Sequence, residues 1–187
     1  MKVSDEFRRR IGRQRISSNI LERITPFLVA ATVFGLDRIT KGMIKAHLSA
    51  WDTLTVIPKF FNIVHAENPG VAFGFLADAS GAWRNILLIA LSVVVLVFIS
   101  TLLWRPQQNA LAQSWLVRIG LALVLGGALG NLYDRVVHGT VTDFVEVYAG
   151  NHYFPAFNVA DSSITVGAAL LLLDMWRSRE RKRETVA

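Results

Sequence analysis

The sequence predicts an all-α integral membrane protein with four transmembrane helices and a small β-rich extracytoplasmic segment. Three observations point there. Of 187 residues, 52% are hydrophobic and only 18% are charged. Four apolar runs approach the ~20 residues that a helix needs to cross a bilayer. The basic residues collect beside those runs, at the two ends of the chain. A single run of this kind is commonly a buried core helix, but four in so short a chain call for lipid.

The first span is expected over 22–41, after a basic segment, 1–23, that carries Arg8, Arg9, Arg10, Arg13, Arg15 and Arg23. Its apolar part, Ile24 to Leu36, has the length of a signal-peptide core. Asp37, Arg38 and Lys41 follow directly, with no small-residue cleavage site, so a retained helix is the better reading. A long loop, 42–84, contains "LTVIPKFFNIVHAENPGVAFGFL". Its β-branched and aromatic residues are broken by Pro58, Asn68, Pro69 and Gly70, so it reads as short strands around a turn. Phe60, Phe61, Phe73 and Phe75 suit a membrane surface better than water.

The second span, Asn85 to Trp104, contains no charged residue. A short loop with Arg105 and Pro106 leads to a third span, Ser114 to Tyr133. Its "GLALVLGGALG" lets neighbouring helices approach closely. A second loop covers Asp134 to Phe157. The fourth span, Asn158 to Trp176, ends in a basic tail, 177–187. Thirteen lysines and arginines fall in the N-terminal segment, the 105–113 loop and the tail, against six over 38–84 and 134–157. Both termini are therefore expected in the cytoplasm and both longer loops outside. This placement accounts for the net charge of +6 without a nucleic-acid surface.

The absence of cysteine excludes a thiol nucleophile, disulfides and thiolate metal sites. The four histidines are scattered and form no HExxH, so neither a metal nor a cofactor is expected.

Two aspartates stand out. Asp161 lies three residues after Asn158, a plausible N-cap, and so in the first turn of the fourth helix. Asp143 arrives 18 residues earlier, on a loop long enough to fold back over that helix start. Two carboxylates in one place are what aspartic peptidase chemistry requires: one ionised to activate water, one protonated to donate to the scissile carbonyl. The plainer alternative is a helix cap and a solvated loop acid. Asp174 falls roughly 20 Å further along the helix, near the opposite membrane face. Asp37 and Lys41 are spaced for a local ion pair. Asp134 and Arg135 suit an interfacial pair, with Arg135 also available to hold a substrate carbonyl.

"GALGNLYDRVVHGTVTDFV", Gly127 to Val145, and "YFPAFNVADSSITVG", Tyr153 to Gly167, resemble the bacterial lipoprotein signal peptidases, signal peptidase II. "LDRITK", Leu36 to Lys41, resembles that family's first-helix motif. "ENPGVAFGFL", Glu67 to Leu76, resembles its outer-loop motif, with Pro69 where the family usually has threonine. The resemblance covers about 24–176. It implies a four-helix membrane aspartic peptidase, with a small β cradle over 53–76, that cuts prolipoproteins just before a diacylglyceryl-modified cysteine. It implies Asp143 and Asp161 as the catalytic pair. Asn68, Asn131 and Arg135 are implied to line the substrate site, and Asn158 to order the second aspartate. Asp37, Lys41 and Asp134 match family motifs in structural roles. The implied setting is the bacterial inner membrane, with the site on the outer side. The expected partners are prolipoproteins and membrane lipids, and the expected state is a monomer. The reading from another class is a small transporter or proton-relay subunit that uses Asp161 as its ion site.

Overall fold

The computed structural model describes residues 2–70, 81–104 and 114–186. Phe73, Phe75 and the expected 105–113 loop lie outside the described residues. The elements are, in order, α1 (Lys2–His47), β1 (Thr53–Ile57), β2 (Phe61–Asn68), α2 (Gly81–Trp104), α3 (Trp115–Val137), β3 (Val141–Ala149), β4 (His152–Tyr153) and α4 (Val159–Val186).

Among the described residues, three helices contain stretches long and apolar enough to cross a membrane: Ala82–Trp104, Trp115–Val137 and Val159–Arg179. α1 is longer than the expected span and continuous through both the basic segment and the apolar run. Its uncharged apolar run, Ile24 to Leu36, is shorter than a span and closes on Asp37, Arg38 and Lys41. Outward-facing Leu91, Val94, Val97 and Phe98 give α2 an apolar surface that suits lipid.

α3 is the central helix and packs against α1, α2 and α4. Ala30 of α1, Leu96, Ile99 and Leu103 of α2, and Val117, Leu121 and Leu125 of α3 form one apolar cluster. The small residues of α3 allow the close approach read from the sequence. At Gly130 a Cβ would stand 2.5 Å from Asp37 Oδ2. Glycine here therefore leaves room for a carboxylate between helices.

The four strands form one sheet in the order β1-β2-β3-β4, with every pairing antiparallel. β1 and β2 fall where strands were expected. β3 corrects the reading of 134–157 as a loop. Its register sets Ala66 opposite Asp143, Glu67 opposite Thr142 and Asn68 opposite Val141. Past Ala149 the chain turns back through β4. Val145 and Phe157 then exchange backbone hydrogen bonds of 2.8 and 3.0 Å. This bridge brings the start of α4 alongside β3.

Candidate active site

Asp143 sits on β3 and Asp161 on the first turn of α4. The Val145–Phe157 bridge draws these two segments together. Both aspartates line a cavity of about 780 Å³ that also includes Asn68, Gly70, Arg135, Phe154, Phe157 and Thr165.

The start of α4 is built as the sequence suggested. Asp161 N–H donates to Asn158 Oδ1 at 2.9 Å, and Asn158 N–H donates back to Asp161 Oδ2 at 3.2 Å. This is a reciprocal capping box, with aspartate in the place usually taken by glutamate. It fixes the Asp161 side chain where the helix N-terminus favours negative charge.

Three asparagine amides complete the shell. Asn158 Nδ2 donates to Asp143 Oδ1 at 2.7 Å, and Asn68 Nδ2 donates to Asp143 Oδ2 at 2.9 Å. Asn131 Nδ2 donates to Asp161 Oδ1 at 2.8 Å. Each amide is oriented by a donor on its oxygen. For Asn68 this is Gly70 N–H at 2.8 Å, for Asn131 it is Lys41 Nζ at 3.1 Å, and for Asn158 it is Asp161 N–H. Asn131 and Asn158 are buried behind the carboxylates, whereas Asn68 reaches the cavity wall. Gly70 adopts φ +100°, a region where glycine is favoured, and a Cβ there would strike Leu88. The bond that closes this turn, from Gly70 N–H to Asn68 Oδ1, uses no N–H at position 69 and so is compatible with Pro69.

Burial pushes the Asp143 carboxyl up to about 6, and the nearby Asp161 charge adds to the rise. Hydrogen bonds from Asn68 and Asn158 and the charge of Lys41 oppose it. The resulting value lets Asp143 retain a proton at mildly acid pH.

Arg135 lines the same cavity. Its Nη1 donates weakly to Asn131 O at 3.4 Å, and its buried Nε has no partner among the described residues. The expected Asp134–Arg135 pair does not form. Asp134 points instead into the helix bundle, where it pairs with Arg38 at 2.6 Å and Lys41 at 2.8 Å. The expected Asp37–Lys41 pair is present at 3.0 Å. Asp174 accepts a hydrogen bond from Ser114 Oγ, far from the cavity.

The sequence model for "Signal peptidase (SPase) II" matches residues 29–177, most of the chain. The chain belongs to the signal peptidase II family. It is 46% identical over 153 residues to the lipoprotein signal peptidase of Solibacter usitatus (strain Ellin6076), covering 82% of this chain and 91% of that relative. It is 48% identical over 153 residues to the lipoprotein signal peptidase of Pseudomonas aeruginosa (strain UCBPP-PA14), covering 81% and 88%. A solved structure described as a bacterial membrane enzyme is also similar, with a TM-score of 0.73 and 29% sequence identity. That match covers 84% of this chain and 91% of the solved one.

Within this signal peptidase II chain, Asn68, Arg135, Asp143 and Asp161 meet at one cavity, with Asn131 and Asn158 directly behind it. Sequence reasoning missed the link from Lys41 to Asn131. The available signal was the presence of charges at the end of an apolar run, since such charges require partners.

Proposed function

We propose that the chain is a membrane aspartic endopeptidase that removes signal peptides from diacylglyceryl-modified prolipoproteins, cutting before the lipidated cysteine. The observation that carries this reading is the shared cavity of Asp143 and Asp161, in a chain that belongs to the signal peptidase II family. Four helices span the bilayer in this proposal, with α1 as the first span. Both termini face the cytoplasm and the sheet lies at the outer surface. The working unit is a monomer in the bacterial inner membrane.

The substrate enters sideways from the bilayer and leaves its acyl chains in lipid. Asp161, held by the helix N-terminus and Asn131, is the general base and takes a proton from the attacking water. Asp143 is the protonated partner and donates to the scissile carbonyl oxygen. The tetrahedral intermediate then breaks its C–N bond as Asp161 returns a proton to the leaving amine. Asp143 recovers its proton as the carboxyl product forms. Arg135 supplies N–H donors to a substrate carbonyl, and Asn68 holds both Asp143 and the cavity edge. Asn131 and Asn158 orient the aspartates. The proposed chemistry uses neither metal nor cofactor.

The test is cleavage of one prolipoprotein with and without its diacylglyceryl group, in detergent supplemented with phospholipid. Cleavage of the modified form alone, just before the modified cysteine, is the expected result. Equal cleavage of both forms would remove the lipid requirement. Uptake of protons into proteoliposomes without any peptide cleavage would favour an ion-transporting membrane protein instead.

A further inference from the structure

Four charged side chains lie behind the cavity: Asp37, Arg38 and Lys41 of α1, and Asp134 of α3. Two acids balance two bases. Asp37, Lys41 and Asp134 are no more than 1% exposed. Stability alone is a weak reason for such a cluster, because well-packed apolar groups serve as well or better. The connections of this cluster give another reason.

Lys41 Nζ has three acceptors: Asp37 Oδ2 at 3.0 Å, Asp134 Oδ2 at 2.8 Å and Asn131 Oδ1 at 3.1 Å. These match the three protons of an ammonium group. Each acceptor leads to the site. Asn131 passes its amide to Asp161. Asp37 Oδ1 accepts Ala160 N–H at 3.1 Å, immediately before Asp161. Asp134 Oδ2 accepts Thr142 N–H at 3.4 Å, immediately before Asp143. One ammonium group therefore joins the backbone leading into both aspartates. Arg38 balances the charge from the side, on Asp37 at 2.7 Å and Asp134 at 2.6 Å.

We infer, resting on the reading of Asp143 and Asp161 as the reacting pair, that Lys41 is a positioning residue. It fixes the amide of Asn131 and, through Asp37 and Asp134, the relative placement of the two aspartates. It touches neither substrate nor reacting atoms.

Lys41→Met removes the ammonium but leaves two buried acids facing one arginine, and this variant can fail to fold. The double variant Lys41→Met/Asp134→Asn restores the charge balance and keeps one acceptor oxygen, for Arg38. Both are compared with wild type and Asp143→Asn for thermal midpoint, kcat, KM and pH profile, using a diacylglyceryl-modified prolipoprotein. In the folded double variant kcat falls about 100-fold, the scale of an ångström-sized misplacement. KM stays within about threefold, as expected when substrate contacts are untouched. The alkaline limb moves to higher pH, because the Lys41 charge no longer favours ionised Asp143. Adding Asn131→Ala lowers kcat by less than about threefold more, since the two residues act in series.

A folded double variant with wild-type kcat and pH profile overturns the inference, as does one changed in KM alone. Failure of both variants to fold also overturns it and leaves the cluster a purely structural one. If wild type cleaves, Asp143→Asn does not and the double variant matches wild type, only the Lys41 inference is lost. If wild type cleaves nothing, the peptidase reading fails and the inference falls with it.

Discussion

Asn158 and Asp161 cap each other across the first turn of α4, through hydrogen bonds of 2.9 and 3.2 Å between side chain and backbone. The same Asn158 donates its amide to Asp143 at 2.7 Å. One residue therefore starts the helix, holds one aspartate through the backbone and holds the other directly.

Replacing Asn158 by alanine should act twice. Loss of the cap costs about 1 kcal/mol. Loss of the donor on Asp143 leaves a buried carboxylate under-satisfied, worth roughly 1–3 kcal/mol. The thermal midpoint should drop, and the alkaline limb of the pH profile should move up because one bond that favours ionised Asp143 is gone. An unshifted limb would separate Asn158 from Asp143. Asn158→Asp keeps the cap but sets a third carboxylate against the pair, so its activity should be lower still.

The pH dependence follows from Asp143. Burial and the Asp161 charge raise its carboxyl to about 6. Below that value Asp143, the proposed acid, is protonated, and above it that proton is lost. The plot of kcat/KM should therefore fall along an alkaline limb with an apparent pKa near 6. Stability has the same sign. A carboxyl raised in the folded state contributes most below its unfolded value, and that contribution fades as pH rises through about 6. A kcat/KM profile flat from pH 5 to 8, in ~0.1 M salt, would count against the assignment of Asp143 as acid.

Much of this arrangement was legible in the sequence. The apolar runs marked α2, α3 and α4, because backbone in lipid must satisfy itself as helix. Asn158 three residues before Asp161 marked the cap. The long-range parts were not legible. "VTDFVEVYA" is β3, yet its partner β2 lies more than 70 residues earlier, and such pairing leaves no local signature. Asp134 beside Arg135 suggested a local pair. Successive residues on a helix point in different directions, so Asp134 turns inward to α1 while Arg135 faces the cavity.

Gly130→Ala tests the closeness of α1 and α3. The new Cβ would stand 2.5 Å from Asp37 Oδ2, so either the carboxylate or the helix must move. Overpacking of this kind costs about 1–3 kcal/mol. Activity should fall along with stability, because Asp37 would lose its bond to Ala160 N–H. A variant with wild-type thermal midpoint and activity would contradict the packing described.

Glu67 ties β2 to β3 and α1. It accepts hydrogen bonds from Thr140, Thr142 and His65 and faces Lys45 at 3.7 Å. Burial acts to raise its carboxyl, but the bonds from Thr140 and His65 and the Lys45 charge outweigh it and hold the group below its ordinary value. Its stabilising contribution is thus present above the ordinary glutamate pKa and lost as pH falls through the lowered one. Glu67→Gln should lower stability by about 1 kcal/mol at pH 7. The difference from wild type should shrink in acid, and a difference independent of pH would contradict this account.

The central claim is that Asp143 and Asp161 share the chemistry. Its most direct test is single-turnover cleavage of a diacylglyceryl-modified prolipoprotein by wild type, Asp143→Asn and Asp161→Asn, each shown to be folded by its thermal transition. The account predicts that both variants bind the substrate yet cleave it about 100- to 10,000-fold more slowly. Cleavage near the wild-type rate by either folded variant would contradict it and remove that aspartate from the reaction.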